Sequence, residues 1–270
     1  MTSPSASAPF DAPYDGDLSS DLELALRLAD AADAISLARF RSRDLVVETK
    51  PDLTPVTEAD REVEHELRAM LGAERRRDAI LGEEQGASGS GRRRWIIDPI
   101  DGTRNYSRGI PVWATLISLE EDGHVVLGVV SAPALHRRWW AERGAGAHAG
   151  GDVVHVSAVR RPEDAVLSFA LEQSVPALAG RAWHARGYGD FWSHMLVAEG
   201  SIDGAIDAMG VSVWDLAAVQ VIVEEAGGRF TDFAGAERID GGSAISSNGH
   251  LHAALLEAVR ELPPPEHTET

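Results

Sequence analysis

The chain of 270 residues can bury a sizeable core as one large domain or two sub-domains, and its 44% hydrophobic and 25% charged content match soluble globular averages. No apolar run approaches the roughly 18 residues of a membrane span, and a formal net charge of −18 argues against a nucleic acid or an anionic membrane as partner. The absence of cysteine excludes disulfides, zinc-thiolate and iron-sulfur sites and a thiol nucleophile, which fits a cytoplasmic protein.

Residues 1–17 lack the basic start and apolar core of a secretory signal and read as a disordered arm, as does the tail 263–270. Ser20-Asp21-Leu22-Glu23 has capping-box spacing, and Leu22, Ala25, Leu26, Ala29 and Ala32 recur at helical intervals, predicting a helix to about Phe40. After an extended stretch, Thr57-Glu58-Ala59-Asp60 is a second capping box, and Val63, Leu67, Met70 and Leu71 form the apolar face of a second helix. GEEQGASGSGRRR reads as loop, and RWIID as a short buried strand bounded by proline.

From Ala114, β-rich runs on either side of Asp122-Gly123, followed by RRWWAE, predict an antiparallel meander. Downstream lie a strand near AVLSFA, a helix from Phe191 to Glu199, a strand in IDGAID and a helix VWDLAAVQVIVEEAGG ended by its glycines. Short strands GRFTDF and AISS precede a final amphipathic helix, HLHAALLEAVREL. Strands and helices alternate without a strict βαβ repeat, so the expected fold class is layered α/β (α+β) in two sub-domains, 18–150 and 151–262.

Gly144 to Ala149, GAGAHA, matches a dinucleotide fingerprint in letters only: a turn and a strand follow where the chemistry requires a helix N-terminus. The ten histidines show no helical H-x-x-x-H spacing, and His250 and His252 read as surface residues at a helix start. The serine-hydrolase elbow and the P-loop pattern are absent.

The acidic residues are more informative. Asp98, Asp101 and the carbonyl of Ile100 can present three oxygens from one turn, Gly102 permits close backbone approach, and Thr103 adds a hydroxyl. Oxygen-only donors suit Mg²⁺, Mn²⁺ or Ca²⁺. Asp-Pro and Asp-Gly also make ordinary turns, and Asp215 at a helix start also reads as a cap. Glu83, in Gly82-Glu83-Glu84, and Asp215 after Trp214 bring the acidic set to four. Two carboxylates about 4 Å apart repel by about 4 kcal/mol at an effective dielectric of about 20, so such a cluster requires cations.

Gly82-Glu83-Glu84, Asp98-Pro99-Ile100-Asp101-Gly102-Thr103 and Trp214-Asp215-Leu216-Ala217-Ala218, in this order, resemble the metal-dependent phosphomonoesterases of the inositol monophosphatase superfamily, over about Leu18 to Glu261. The resemblance implies alternating α-β-α-β-α layers, a homodimer, and two or three Mg²⁺ ions, or Mn²⁺ in their place. It implies that Glu83, Asp98, the Ile100 carbonyl, Asp101 and Asp215 are the metal ligands, with Asp98 shared between ions. It further implies that Thr103, hydrogen-bonded to Asp60, orients the attacking water, with Glu83 also in the catalytic set. The Gly102 and Thr103 amides would grip the phosphate, and Lys50 lies where the family has a lysine near the metals. Asp60 would then serve both its own capping box and Thr103, one oxygen for each.

Where inositol monophosphatases commonly carry a glutamate for the inositol hydroxyls, this chain has Ala208. The stretches PDLTPVTEADR, GVVSAPALHRRWWAERG, RGYGDFWSHMLVAEG and VSVWDLAA instead resemble the actinobacterial-type histidinol-phosphate phosphatases of the superfamily. That likeness implies a small phosphate monoester as substrate, with Asp190 pairing with its ammonium, Arg186 close by, and Asp101 and Asp215 also lining the pocket. Asp190 also reads as a helix N-cap and Arg186 as a surface ion pair. The alternatives are an inositol-1-monophosphatase or a broad sugar or nucleotide phosphatase, and, outside enzymes, a structural cation-binding module.

Overall fold

A computed structural model describes residues 19–51, 54–170, 177–208 and 210–260. The expected disordered arm 1–17 and tail 263–270 lie outside them. Helix α1 (Ser20–Arg39) is capped by Ser19, whose Oγ accepts the Leu22 N–H at 3.1 Å, one residue before the Ser20 box read from the sequence. A hairpin of β1 (Val47–Thr49) and β2 (Pro55–Thr57) leads into α2 (Glu58–Glu74), which has the expected Thr57/Asp60 capping box. Among the described residues no helix is long and apolar enough to cross a membrane.

Next come β3 (Ala79–Gly82), β4 (Gly86–Ser88), β5 (Arg93–Asp101), the one-turn helix α3 (Thr103–Ser107), β6 (Ala114–Glu121), β7 (His124–Ala132), β8 (Arg137–Glu142), β9 (Gly146–Ala149) and β10 (Asp152–Val154). They form an eight-stranded sheet in the order β10-β9-β8-β7-β6-β5-β3-β4, antiparallel except where β3 meets β5. Asp122 and Gly123 both take positive φ, the turn that closes β6 on β7 with the right twist. The segment read as a loop before RWIID contains β4, and the strand runs past its proline to Asp101.

The chain continues through β11 (Val166–Ala170), β12 (His184–Arg186), α4 (Asp190–Ala198), β13 (Gly204–Asp207), α5 (Val213–Glu225), β14 (Arg229–Thr231), β15 (Ala244–Ser247) and α6 (His252–Arg260). These five strands form a second sheet, β12-β11-β13-β15-β14. The first sheet extends through Val154, four residues beyond the sub-domain boundary read from the sequence.

Alternation along β5 sorts its side chains between layers. Trp95 and Ile97 pack with Leu22, Leu28, Leu67 and Leu71 of α1 and α2, whereas Ile96 packs with Phe191 of α4 and Leu216 of α5. Residues of α4 and α5 also meet the second sheet, whose far face is covered by Leu251 and Leu255 around α6. The layers are α-β-α-β-α, as the resemblance implied. Gly128 makes room for α5: a Cβ there would lie 2.6 Å from Val221 Cγ1 and 2.7 Å from the Ala218 carbonyl oxygen.

Candidate active site

Pairing of β5 with β6 runs regularly to Asp98 opposite Leu116 and resumes with Asp101 opposite Ala114, so three steps on β5 match two on β6. The extra residue is a β-bulge at Pro99-Ile100, where a proline costs no ladder bond. In a regular strand residues three apart face opposite sides, and the bulge returns Asp101 to the side of Asp98. That side faces the start of α5, and carboxylate oxygens of Asp98, Asp101 and Asp215 lie within 4.8 Å of one another.

Each of these acids is also fixed locally. The Phe191 N–H donates to Asp101 Oδ2 at 2.6 Å, and Asp215 completes a capping box with Ser212. Burial raises the pKa of all three. Repulsion from Glu83, Asp101 and Asp215 adds to it at Asp98, and from Asp190 and Asp215 at Asp101; Asp215 reaches about 7. Asp98 Oδ1 is buried without a hydrogen-bond partner. An orphaned oxygen, like charges in contact and an all-oxygen donor set fit a hard divalent cation and little else.

Glu83 follows β3, whose register sets Gly82 opposite Ile97 and so brings Glu83 beside Asp98. Its Oε1 accepts from Lys50 Nζ at 2.7 Å, and the same ammonium donates to Glu84 Oε1 at 2.6 Å. Burial lowers the Lys50 pKa and the two ion pairs more than offset it, so the net shift is upward. Burial, aided by Glu83, pushes Glu84 up to about 7.

Asp60 divides its oxygens as the sequence suggested. Oδ2 accepts the Thr57 N–H at 2.8 Å, and Oδ1 accepts the Thr103 hydroxyl at 3.1 Å. Burial raises its pKa to about 6. The Thr103 hydroxyl also lies 2.9 Å from the Ile100 carbonyl oxygen. Gly102, at φ 83°, is the N-cap of α3; a Cβ there would stand 3.1 Å from the Val112 carbonyl oxygen and 3.4 Å from Asp190 Oδ2.

Asp190 opens α4 at φ 47°, with Gly189 as N-cap and no side-chain capping bond, so the cap reading is not what the structure contains. Its Oδ2 accepts from Asn105 Nδ2 at 3.3 Å. Burial, then the charge of Asp207, raises its pKa to about 6. Arg186 is exposed on the edge strand β12, its Nε 2.8 Å from His184 Nε2, and it makes no ion pair among the described residues.

Sequence reasoning missed Asp207, read only as a strand end, although it and the buried His194 lie against Asp190. His194 Nε2 is 3.8 Å from Asp207 Oδ2. The available signal was the four-residue spacing of Asp190 and His194 on one helix face. The surface reading of the histidines is corrected at His252, which is 1% exposed and sits between Thr231 Oγ1 and Ser247 Oγ at 2.9 Å each. Burial lowers its pKa to about 4, leaving a neutral ring that both hydroxyls can satisfy.

The profile of the inositol monophosphatase family matches residues 17–263. The chain belongs to this family. Within it, the chain is 51% identical to a histidinol-phosphatase of Mycobacterium tuberculosis, over 86% of this chain and 95% of that protein. It is 49% identical to a histidinol-phosphatase of Streptomyces coelicolor, over 86% and 94%. The solved inositol monophosphatase of Thermotoga maritima superposes with a TM-score of 0.82 at 31% identity, covering 90% of this chain and 98% of that one. The family is metal-dependent, and the Asp98, Asp101 and Asp215 cluster could hold a metal ion.

Proposed function

We propose that this protein is a cytoplasmic, Mg²⁺-dependent phosphomonoesterase that hydrolyses L-histidinol phosphate to L-histidinol and phosphate, a step of histidine biosynthesis. The observation that carries the reading is the likeness to two histidinol-phosphatases over nearly their whole length. The half-buried Asp190 and the buried Asp207 beside the carboxylate cluster agree with it, because they favour a cationic substrate. Ala208, where a polyol phosphatase has its glutamate, offers no carboxylate to inositol hydroxyls.

Glu83, Asp98, the Ile100 carbonyl, Asp101 and Asp215 would hold the ions. Two or three Mg²⁺, or Mn²⁺ in their place, supply charge neutralisation, an activated water and a polarised phosphoryl group. Asp60 takes the Thr103 hydroxyl proton as acceptor, which leaves Thr103 Oγ1 free to accept from the attacking water and orient it. The amides at the start of α3, from Gly102 and Thr103, grip the phosphate where the glycine admits it. Lys50 balances Glu83 and Glu84, and Asp190 pairs with the substrate ammonium, with Arg186 at the rim. The chain acts as a homodimer, for which light scattering should give twice the chain mass.

A phosphate-release panel with and without Mg²⁺ tests this. Histidinol phosphate should exceed inositol 1-phosphate by at least about tenfold in kcat/KM, a gap of about 1.4 kcal/mol. Asp190→Ala should raise KM for the first substrate and leave the second unchanged. Parity between the substrates would favour a broad phosphatase, and no release from any monoester would leave a structural cation module.

A further inference from the structure

Glu64 is a fully buried carboxylate outside the cluster, and its partners all belong to the segment that carries Glu83 or to that segment's anchor. It stands four residues after Asp60 on α2 and so points from the same helix face. Its Oε2 accepts the Glu84 N–H at 2.7 Å, and its Oε1 accepts the Gln85 N–H at 3.0 Å and Arg68 Nε at 2.7 Å. Arg68 reaches on to Ser88 Oγ at 2.9 Å and to the Gly86 carbonyl. A Cβ at residue 82 would lie 2.3 Å from Glu64 Oε1, so glycine there is what lets the carboxylate reach the backbone.

We infer that Glu64 is a positioning residue that sets the Glu83 side chain for the cation by holding the two amides that follow it. A buried ion pair is a poor source of net stability, since apolar residues of similar volume do as well or better. What the Glu64–Arg68 pair supplies is place. Upstream of Glu83 the backbone is fixed by the Glu83 N–H to the Ile97 carbonyl at 3.2 Å, and downstream by Glu64. One rigid helix therefore aims both Asp60 at Thr103 and the loop at Asp98. The inference rests on the reading of Glu83 as a metal ligand.

The test is a Mn²⁺ titration of the full chain, reading free ion by electron paramagnetic resonance, with hydrogen exchange at the Glu84 and Gln85 amides. Glu64→Gln should raise the Mn²⁺ Kd about 10- to 100-fold, the usual cost of removing a ligand's support. Exchange at both amides should quicken, and kcat at saturating metal should return to within a few-fold of wild type. Gly82→Ala, which displaces the same carboxylate by one methyl group, should do likewise and decides the matter if Glu64→Gln does not fold. Wild-type Mn²⁺ affinity in a folded variant overturns the inference. If Glu83→Gln binds Mn²⁺ as tightly as wild type, the ligand reading has failed instead, and the inference falls with it.

Discussion

At the residue scale, two of the site's carboxylates have a second, structural use. Asp60 and Asp215 both occupy the third position of a capping box, and each keeps one oxygen for the site. Asp98 has no such second use, and its Oδ1 has no partner. Asp98→Asn should therefore abolish turnover, by about 10³-fold or more. The same change should raise the melting temperature of the EDTA-treated protein, because it removes a charge that Glu83, Asp101 and Asp215 all repel. Calorimetry beside a phosphate-release assay checks both, and an unchanged or lower melting temperature would count against the electrostatic account. The capping role of Asp60 was legible because a capping box is a local pattern, whereas its reach to Thr103 came from the family resemblance. Asp207 and Glu64 were not legible, because their partners, Asp190 and the Glu84 and Gln85 amides, are neighbours only in three dimensions.

At the element scale, α5 must approach the first sheet closely enough for Asp215 to join Asp98 and Asp101. Gly128 sets that distance. Gly128→Ala should cost about 1–3 kcal/mol through overpacking and should lower activity as Asp215 is pushed off the cluster. A urea titration with kinetics at saturating Mg²⁺ reads both; a destabilised variant with full activity would separate the packing from the site. The long helices and the meander around Asp122-Gly123 were legible from periodicity and turn chemistry. Strands β3 and β4, at four and three residues, are too short to show a period and exist by pairing, β3 along β5 and β4 along β3. The bulge was hidden as well, since Asp-Pro-Ile-Asp reads equally as a turn, and only its register with β6 shows two acids on one face.

At the scale of the whole molecule, the raised carboxylates link stability to pH and metal. Burial and repulsion hold Asp60 and Asp190 up to about 6 and Asp215 and Glu84 up to about 7, with Asp98 and Asp101 raised as well. The folded metal-free chain thus binds more protons than the unfolded chain, whose acids titrate near 4, so its stability falls as pH rises from about 4 through about 7. A cation that prefers the ionised site opposes this loss. The difference in melting temperature between Mg²⁺ and EDTA should widen from pH 5 to pH 8, and a constant difference would contradict the linkage. The layering was foreseen only through the family resemblance that the three acidic motifs carry; strand and helix alternation alone gave no more than a layered α/β class.

The site joins parts of the chain that are far apart in sequence. Asp98 and Asp101 end a strand of the first sheet, Asp215 begins the helix between the sheets, and more than a hundred residues separate them. A cation shared by them would be a removable cross-link closing that long loop, comparable in topology to a disulfide that a cysteine-free chain cannot form. Chelation would then do to this protein what reduction does to a secreted one.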